Sequence, residues 1–142
     1  MSGVVQLYNT RMKIIVDTNI FLSVALEERS KSKIVSLTQD CDVYAPEILP
    51  YEIGNAISAM VKRKQIGSSD AVSIFSITQK IPVKLIKVDI PKALSIATDK
   101  NIYAYDAYFI QSALSSSCSI LSLDHKMNEV ARSMNIQILE ES

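Results

Sequence analysis

The chain has 142 residues, 48% hydrophobic and 21% charged, which is ordinary usage for one folded domain and excludes a disordered or fibrous chain. Its 15 Lys and Arg balance 15 Asp and Glu, a formal net charge of zero, so no long-range field draws it onto a polyanion and any such site is a local patch. No apolar stretch reaches the ~20 residues of a membrane helix, and residues 1–11 hold no apolar h-region, so secretion is not expected.

Residues 1–11 read as a short N-terminal extension not expected to be ordered, with Met12 an alternative start, and residues 12–142 as a single domain. Met12 to Val16 is a β-branched run of the kind found in strands buried on both faces. After the turn at Asp17-Thr18-Asn19, short helices are expected over 20–26 and 30–38, then a brief strand over 43–45. Ile53, Ala56, Ile57, Met60 and Val61 recur at helical spacing within 49–64. Asp70 opens another helix through Val72 and Phe75, and Val83 to Val88 alternates as a strand. Asp89 and Pro91 start a helix that Asn101 breaks, and Asp106 begins one carrying Phe109, Ile110, Ala113 and Leu114. A strand over 119–123 ends at Asp124, a helix follows over 128–134, and 136–139 reads as a last strand. Strands alternating with helices imply a parallel α/β sandwich.

The three glycines, Gly3, Gly54 and Gly67, fit neither a dinucleotide fingerprint nor a phosphate loop. One histidine, His125, and two cysteines outside any Cys-x-x-Cys pair make a structural zinc site a poor fit. Cys41 and Cys118 read as reduced core residues of a cytoplasmic protein, and His125 as a surface residue.

Carboxylates remain. Parallel strands end on one edge, and the crevice outside those ends is where ligands bind. Asp17 and Asp124 each end an expected strand, and Glu52 and Asp106 each fall in a first helical turn that can face the same crevice. Clustered carboxylates repel unless a hard cation such as Mg²⁺ or Mn²⁺ neutralises them, and such an ion supports phosphodiester hydrolysis. Taken singly, each acid also suits a helix cap or a dipole-favoured first turn. The run Lys62-Arg63-Lys64 reads as a solvated helix end, and also as a place to hold a phosphate backbone.

Val16-Asp17-Thr18-Asn19-Ile20-Phe21-Leu22, Pro50-Tyr51-Glu52-Ile53, Tyr105-Asp106-Ala107-Tyr108 and Leu121-Ser122-Leu123-Asp124 together resemble the ordered acidic motifs of the PIN domain, most of all the VapC-type toxin ribonucleases. The resemblance spans nearly the whole chain from Met12 and implies a three-layer α/β sandwich with a central, mostly parallel sheet flanked by helices. It further implies a Mg²⁺- or Mn²⁺-dependent endoribonuclease, the toxin of a type II toxin–antitoxin pair, with Asp17, Glu52, Asp106 and Asp124 as catalytic and metal-binding acids. Thr18 and Asn19 are expected to orient the first carboxylate, and Ser122, where the family commonly has threonine, to line the same pocket. An RNA substrate, a cognate antitoxin and a homodimer are the partners implied. Lys62, Arg63, Lys64, Lys100 and Lys126 are the candidate RNA contacts. The alternatives are a PIN-like module that binds protein or RNA without cutting it, and an aspartyl-phosphate phosphatase. The second would want an Asp where Asn19 stands.

Overall fold

The computed structural model describes residues 11–140. The extension expected over residues 1–11 lies outside the described residues except for Arg11. That residue is tied down, its Nε donating to Asp42 Oδ1 at 2.7 Å and Nη2 to the Cys41 carbonyl at 2.7 Å.

Strand β1 (Met12–Val16) buries Ile14, Ile15 and Val16, as the β-branched run predicts. Helix α1 (Thr18–Ala25) follows at once because the Asp17 side chain accepts the Thr18 amide and caps it. After α2 (Lys31–Thr38) comes β2 (Cys41–Pro46), then α3 (Leu49–Lys62), whose first turn accommodates Pro50 because amides there have no helical partner to lose. A 3₁₀ turn (Ser68–Asp70) leads into α4 (Ala71–Gln79), then β3 (Lys84–Ile86) and α5 (Ile90–Lys100). Asn101, at φ 55°, ends α5 in the left-handed conformation that asparagine tolerates better than most residues. Helix α6 (Ala104–Ser116), β4 (Ser119–Leu121) and α7 (His125–Ser133) complete the described elements.

The four strands form one parallel sheet in the order β3-β2-β1-β4. Helices flank it in a three-layer α/β sandwich, α6 packing on β1 and β2 and α2 on β2, while α1, α3 and α4 pack on one another. Ile14, Ile15, Ile20, Phe21, Leu49, Ile53, Phe109, Ile110 and Ile120 fill a single main core. Removing that apolar surface from water is the dominant favourable term holding the layers together. A smaller alanine cluster, Ala93, Ala97 and Ala107, lets α5 and α6 approach closely. Cys118 is buried, Cys41 is half-buried against the core, and both are free thiols. No helix among the described residues is long and apolar enough to cross a membrane.

The strand expected over Ile136 to Leu139 is instead an isolated parallel bridge, Ile120 to Ile138. Ile120 donates to the Gln137 carbonyl and accepts from the Leu139 amide, and the pairing on this side of β4 does not extend beyond that one residue. The helices expected to begin at Asp106 and Asn128 begin at Ala104 and His125. That change places Asp106 inside a first turn and makes Asp124 a cap rather than a strand end. His125 is exposed.

Candidate active site

The register of β1 on β4 builds the centre of the site. Val16 pairs with Leu121, and the Asp17 amide donates to the Leu121 carbonyl at 3.0 Å, so Asp17 and Ser122 leave the sheet side by side at its carboxyl edge. Ser122 Oγ donates to Asp17 Oδ2 at 2.7 Å, while Asp17 Oδ1 accepts the Thr18 amide at 2.8 Å. The same Ser122 Oγ accepts the Asp124 amide at 3.0 Å. Asn128 of α7 holds the backbone of this turn, donating from Nδ2 to the Ser122 carbonyl at 3.1 Å.

From the other flank, Thr18 Oγ1 donates to Glu52 Oε2 at 2.8 Å, connecting the first turn of α3 to the start of α1. Asp106 stands in the first turn of α6. Asp124 caps α7, its Oδ1 accepting the amides of Lys126 at 2.9 Å and Met127 at 3.2 Å. Asp17, Thr18, Asn19, Glu52, Asp106 and Asp124 all line one open cleft of about 390 Å³. Asp17 and Asp124 are therefore caps as well as cleft acids, whereas Glu52 and Asp106 cap nothing.

Burial and neighbouring charge raise the pKa of Asp17, Glu52 and Asp106. Asp17 is pushed up from 3.8 to about 6 by burial, against the lowering pull of the Ser122 and Thr18 hydrogen bonds, with the charges of Asp106 and Asp124 adding to the rise. Burial also raises Glu52, opposed by Thr18 and reinforced by the charges of Asp17 and Asp106. Asp106 is raised by burial and by Asp124, with Lys126 pulling the other way. Four acids whose anionic forms disfavour one another make a place where a cation is stabilised.

All the donors are carboxylate oxygens, which suits a hard cation. Asn19, in the cleft wall, adds a buried Oδ1 with no hydrogen-bond partner among the described residues. No three acidic, histidine or cysteine side chains among the described residues stand close enough to form a ligand cage by themselves. A hard cation such as Mg²⁺ keeps several waters and takes only one or two carboxylates directly.

The expected cations are scattered. Lys126, in the first turn of α7, acts electrostatically on Asp106. Lys100, at the end of α5, pairs with Asp99 at 3.9 Å. Lys62, Arg63 and Lys64 are exposed at the far end of α3, about 15 Å along the helix axis from Glu52 at 1.5 Å per residue. Beyond the residues expected from sequence, Leu22, Ile48, Tyr51, Asn55, Ala56 and Tyr105 also line the cleft. For the two tyrosines the signal was present, since each directly precedes a cleft acid.

The sequence profile of the PIN domain matches residues 14–133, a span that contains all four acids. The chain belongs to the PIN domain family. PIN domains are in general nucleases. No curated protein sequence gives a significant match. Among solved structures, the PIN fold seen here is similar to that of PAE2754 from Pyrobaculum aerophilum, at 17% identity and TM-score 0.65 over 84% of this chain and 79% of that one. It is similar also to VapBC2 from Rickettsia felis bound to a DNA fragment from its promoter, at 14% identity and TM-score 0.62, covering 89% and 97%. A third is FitAB bound to the IR36 DNA fragment, at 19% identity and TM-score 0.61, covering 88% and 92%.

Proposed function

We propose that this PIN domain is a Mg²⁺- or Mn²⁺-dependent endoribonuclease and the toxin of a type II toxin–antitoxin pair. The observation that carries the reading is the placement of Asp17, Glu52, Asp106 and Asp124, drawn from four separate segments, on one cleft at the carboxyl edge of the parallel sheet. Caps alone would not require it, because Glu52 and Asp106 cap nothing.

A bound divalent ion would supply an activated water and stabilise charge on the phosphodiester oxygens. The protein's part is to hold its oxygens ready. Asp17 is fixed at both oxygens, by Ser122 and Thr18, and presents a preset carboxylate. Thr18 holds Glu52 by a single oxygen, leaving the other free for the cleft. Asp106 and Asp124 complete the acidic lining, and Lys126 is placed to meet a phosphate beside them.

The toxin reading draws on the likeness of fold to the toxin–antitoxin proteins VapBC2 and FitAB. A cognate antitoxin, a homodimeric assembly and a cytoplasmic site of action follow from it. Induced expression in a bacterial host tests the reading. Wild type should arrest growth with breakage of cellular RNA, and Asp106→Asn should grow normally; arrest by the variant equal to wild type would overturn it.

A further inference from the structure

The uncharged walls of the cleft raise a separate question, which is how a neutral protein holds a polyanion over four acids. Tyr51 is 76% exposed in the first turn of α3, next to Glu52, and Tyr105 is 57% exposed in the first turn of α6, next to Asp106. Both rings line the cleft. Large apolar rings standing in water at the mouth of a polar cleft are surface held ready for contact. Tyr105 is also braced, meeting Tyr108 edge to face with ring centroids 5.8 Å apart and planes at 85°. Tyr108 in turn packs on the buried alanine cluster between α5 and α6.

Beyond Lys126, which acts on Asp106, protein charge offers little hold on a polyanion here. The net charge is zero, the lining acids repel phosphate, and Lys62, Arg63 and Lys64 lie a helix length away. Contacts that do not depend on charge would add to that hold. Stacking of bases on aromatic rings is such a contact, tolerant of sequence and open only to bases that are unpaired and unstacked.

We propose that Tyr51 and Tyr105 are base-stacking platforms that seat unpaired nucleotides beside the acidic cleft. The proposal deepens the ribonuclease reading and rests on it. Because each ring lines the same cleft as the acid that follows it, a base seated there would hold its phosphodiester within that cleft.

The test uses the full chain with Mg²⁺, an unstructured RNA oligonucleotide carrying 2-aminopurine, and the same strand in a perfect duplex. Wild type should quench the 2-aminopurine and cleave the single strand but not the duplex. Tyr51→Leu and Tyr105→Leu keep apolar bulk and lose the ring, and each should raise KM about fivefold to a hundredfold, with little change in kcat and loss of quenching. Tyr51→Phe and Tyr105→Phe should stay within about twofold of wild type, since the ring face is kept. Equal cleavage of duplex, or leucine variants that bind and cleave like wild type whatever they do to a protein partner, would overturn the stacking role. Phenylalanine variants as defective as the leucine ones would overturn it too, by showing that the hydroxyl does the work. Quenching that depends on the tyrosines without any cleavage would support stacking and overturn the nuclease reading alone.

Discussion

Ser122 donates its hydroxyl to Asp17 across 105 positions of sequence, at 2.7 Å, while the same oxygen accepts the Asp124 amide. One small side chain thus couples the first and last acids of the cleft, and the pairing of Val16 with Leu121 puts it there.

Ser122→Ala should remove both bonds. The bond to Asp17 favours its anionic form, so the variant should titrate Asp17 above about 6 and lose about 1–3 kcal/mol of stability, as buried groups left unpaired do. Ser122→Thr keeps the hydroxyl and should restore both. Carboxyl titration by NMR with denaturant unfolding reads this directly. An unchanged Asp17 titration in the alanine variant would show that the bond does not govern the acid.

Asp17 also sets a dependence of stability on pH. Its folded pKa of about 6 lies above the ordinary 3.8, so the folded state holds the proton more tightly and charging the group weakens the fold. The penalty is absent below about pH 3.8, grows between the two values, and is complete above about pH 6; two units at 1.36 kcal/mol each give about 3 kcal/mol. Glu52 and Asp106 are raised as well and act in the same direction. Asp17→Asn, which caps a helix as well as aspartate does, should be the more stable protein at pH 7 and the two should converge near pH 4. Mg²⁺ should return about 2.7 kcal/mol to wild type at a hundred times its dissociation constant and little to the variant. Parallel pH profiles for the two proteins would contradict a crowded, buried Asp17.

Asp124 serves two purposes that substitution can separate. Its Oδ1 holds two amides at the start of α7, so Asp124→Ala should cost about 0.5–2 kcal/mol in unfolding experiments, and Asp124→Asn only a fraction of that. Both should lose cleavage, because both lose the charge. Full activity in the asparagine variant would leave Asp124 as a cap alone.

Much of this was legible from residue order. The β-branched run before Asp17 and the apolar stripe through Ile53 and Ile57 announce a buried strand and a core-facing helix, and both form. Helix starts were harder to read. Tyr103 caps α6 without a side-chain hydrogen bond, so nothing in its chemistry marks the first turn. The helix expected from Asn128 begins at His125 because Asp124 captures the amides of Lys126 and Met127. The last strand failed because alternation over Ile136 to Leu139 cannot reveal that this segment meets β4 at Ile120 alone. In the cleft, acid positions are visible as motifs, but the connections made by Ser122 and Thr18 depend on strand register and helix packing, which one sequence does not display. Tyr51 and Tyr105 were visible beside their acids, and only their exposure distinguishes them from core aromatics.

The most direct test of the account is cleavage of a labelled RNA by purified wild type and Asp106→Asn, each with Mg²⁺, with Mn²⁺ or with excess chelator. Asp106 makes no cap and the substitution preserves side-chain volume, so loss of activity reports the missing charge rather than a damaged fold. The account predicts internal cleavage by wild type with either ion, none in chelator, and none by the variant under any condition, with both proteins folded by circular dichroism. Undiminished cleavage in chelator, or a variant as active as wild type, would contradict it.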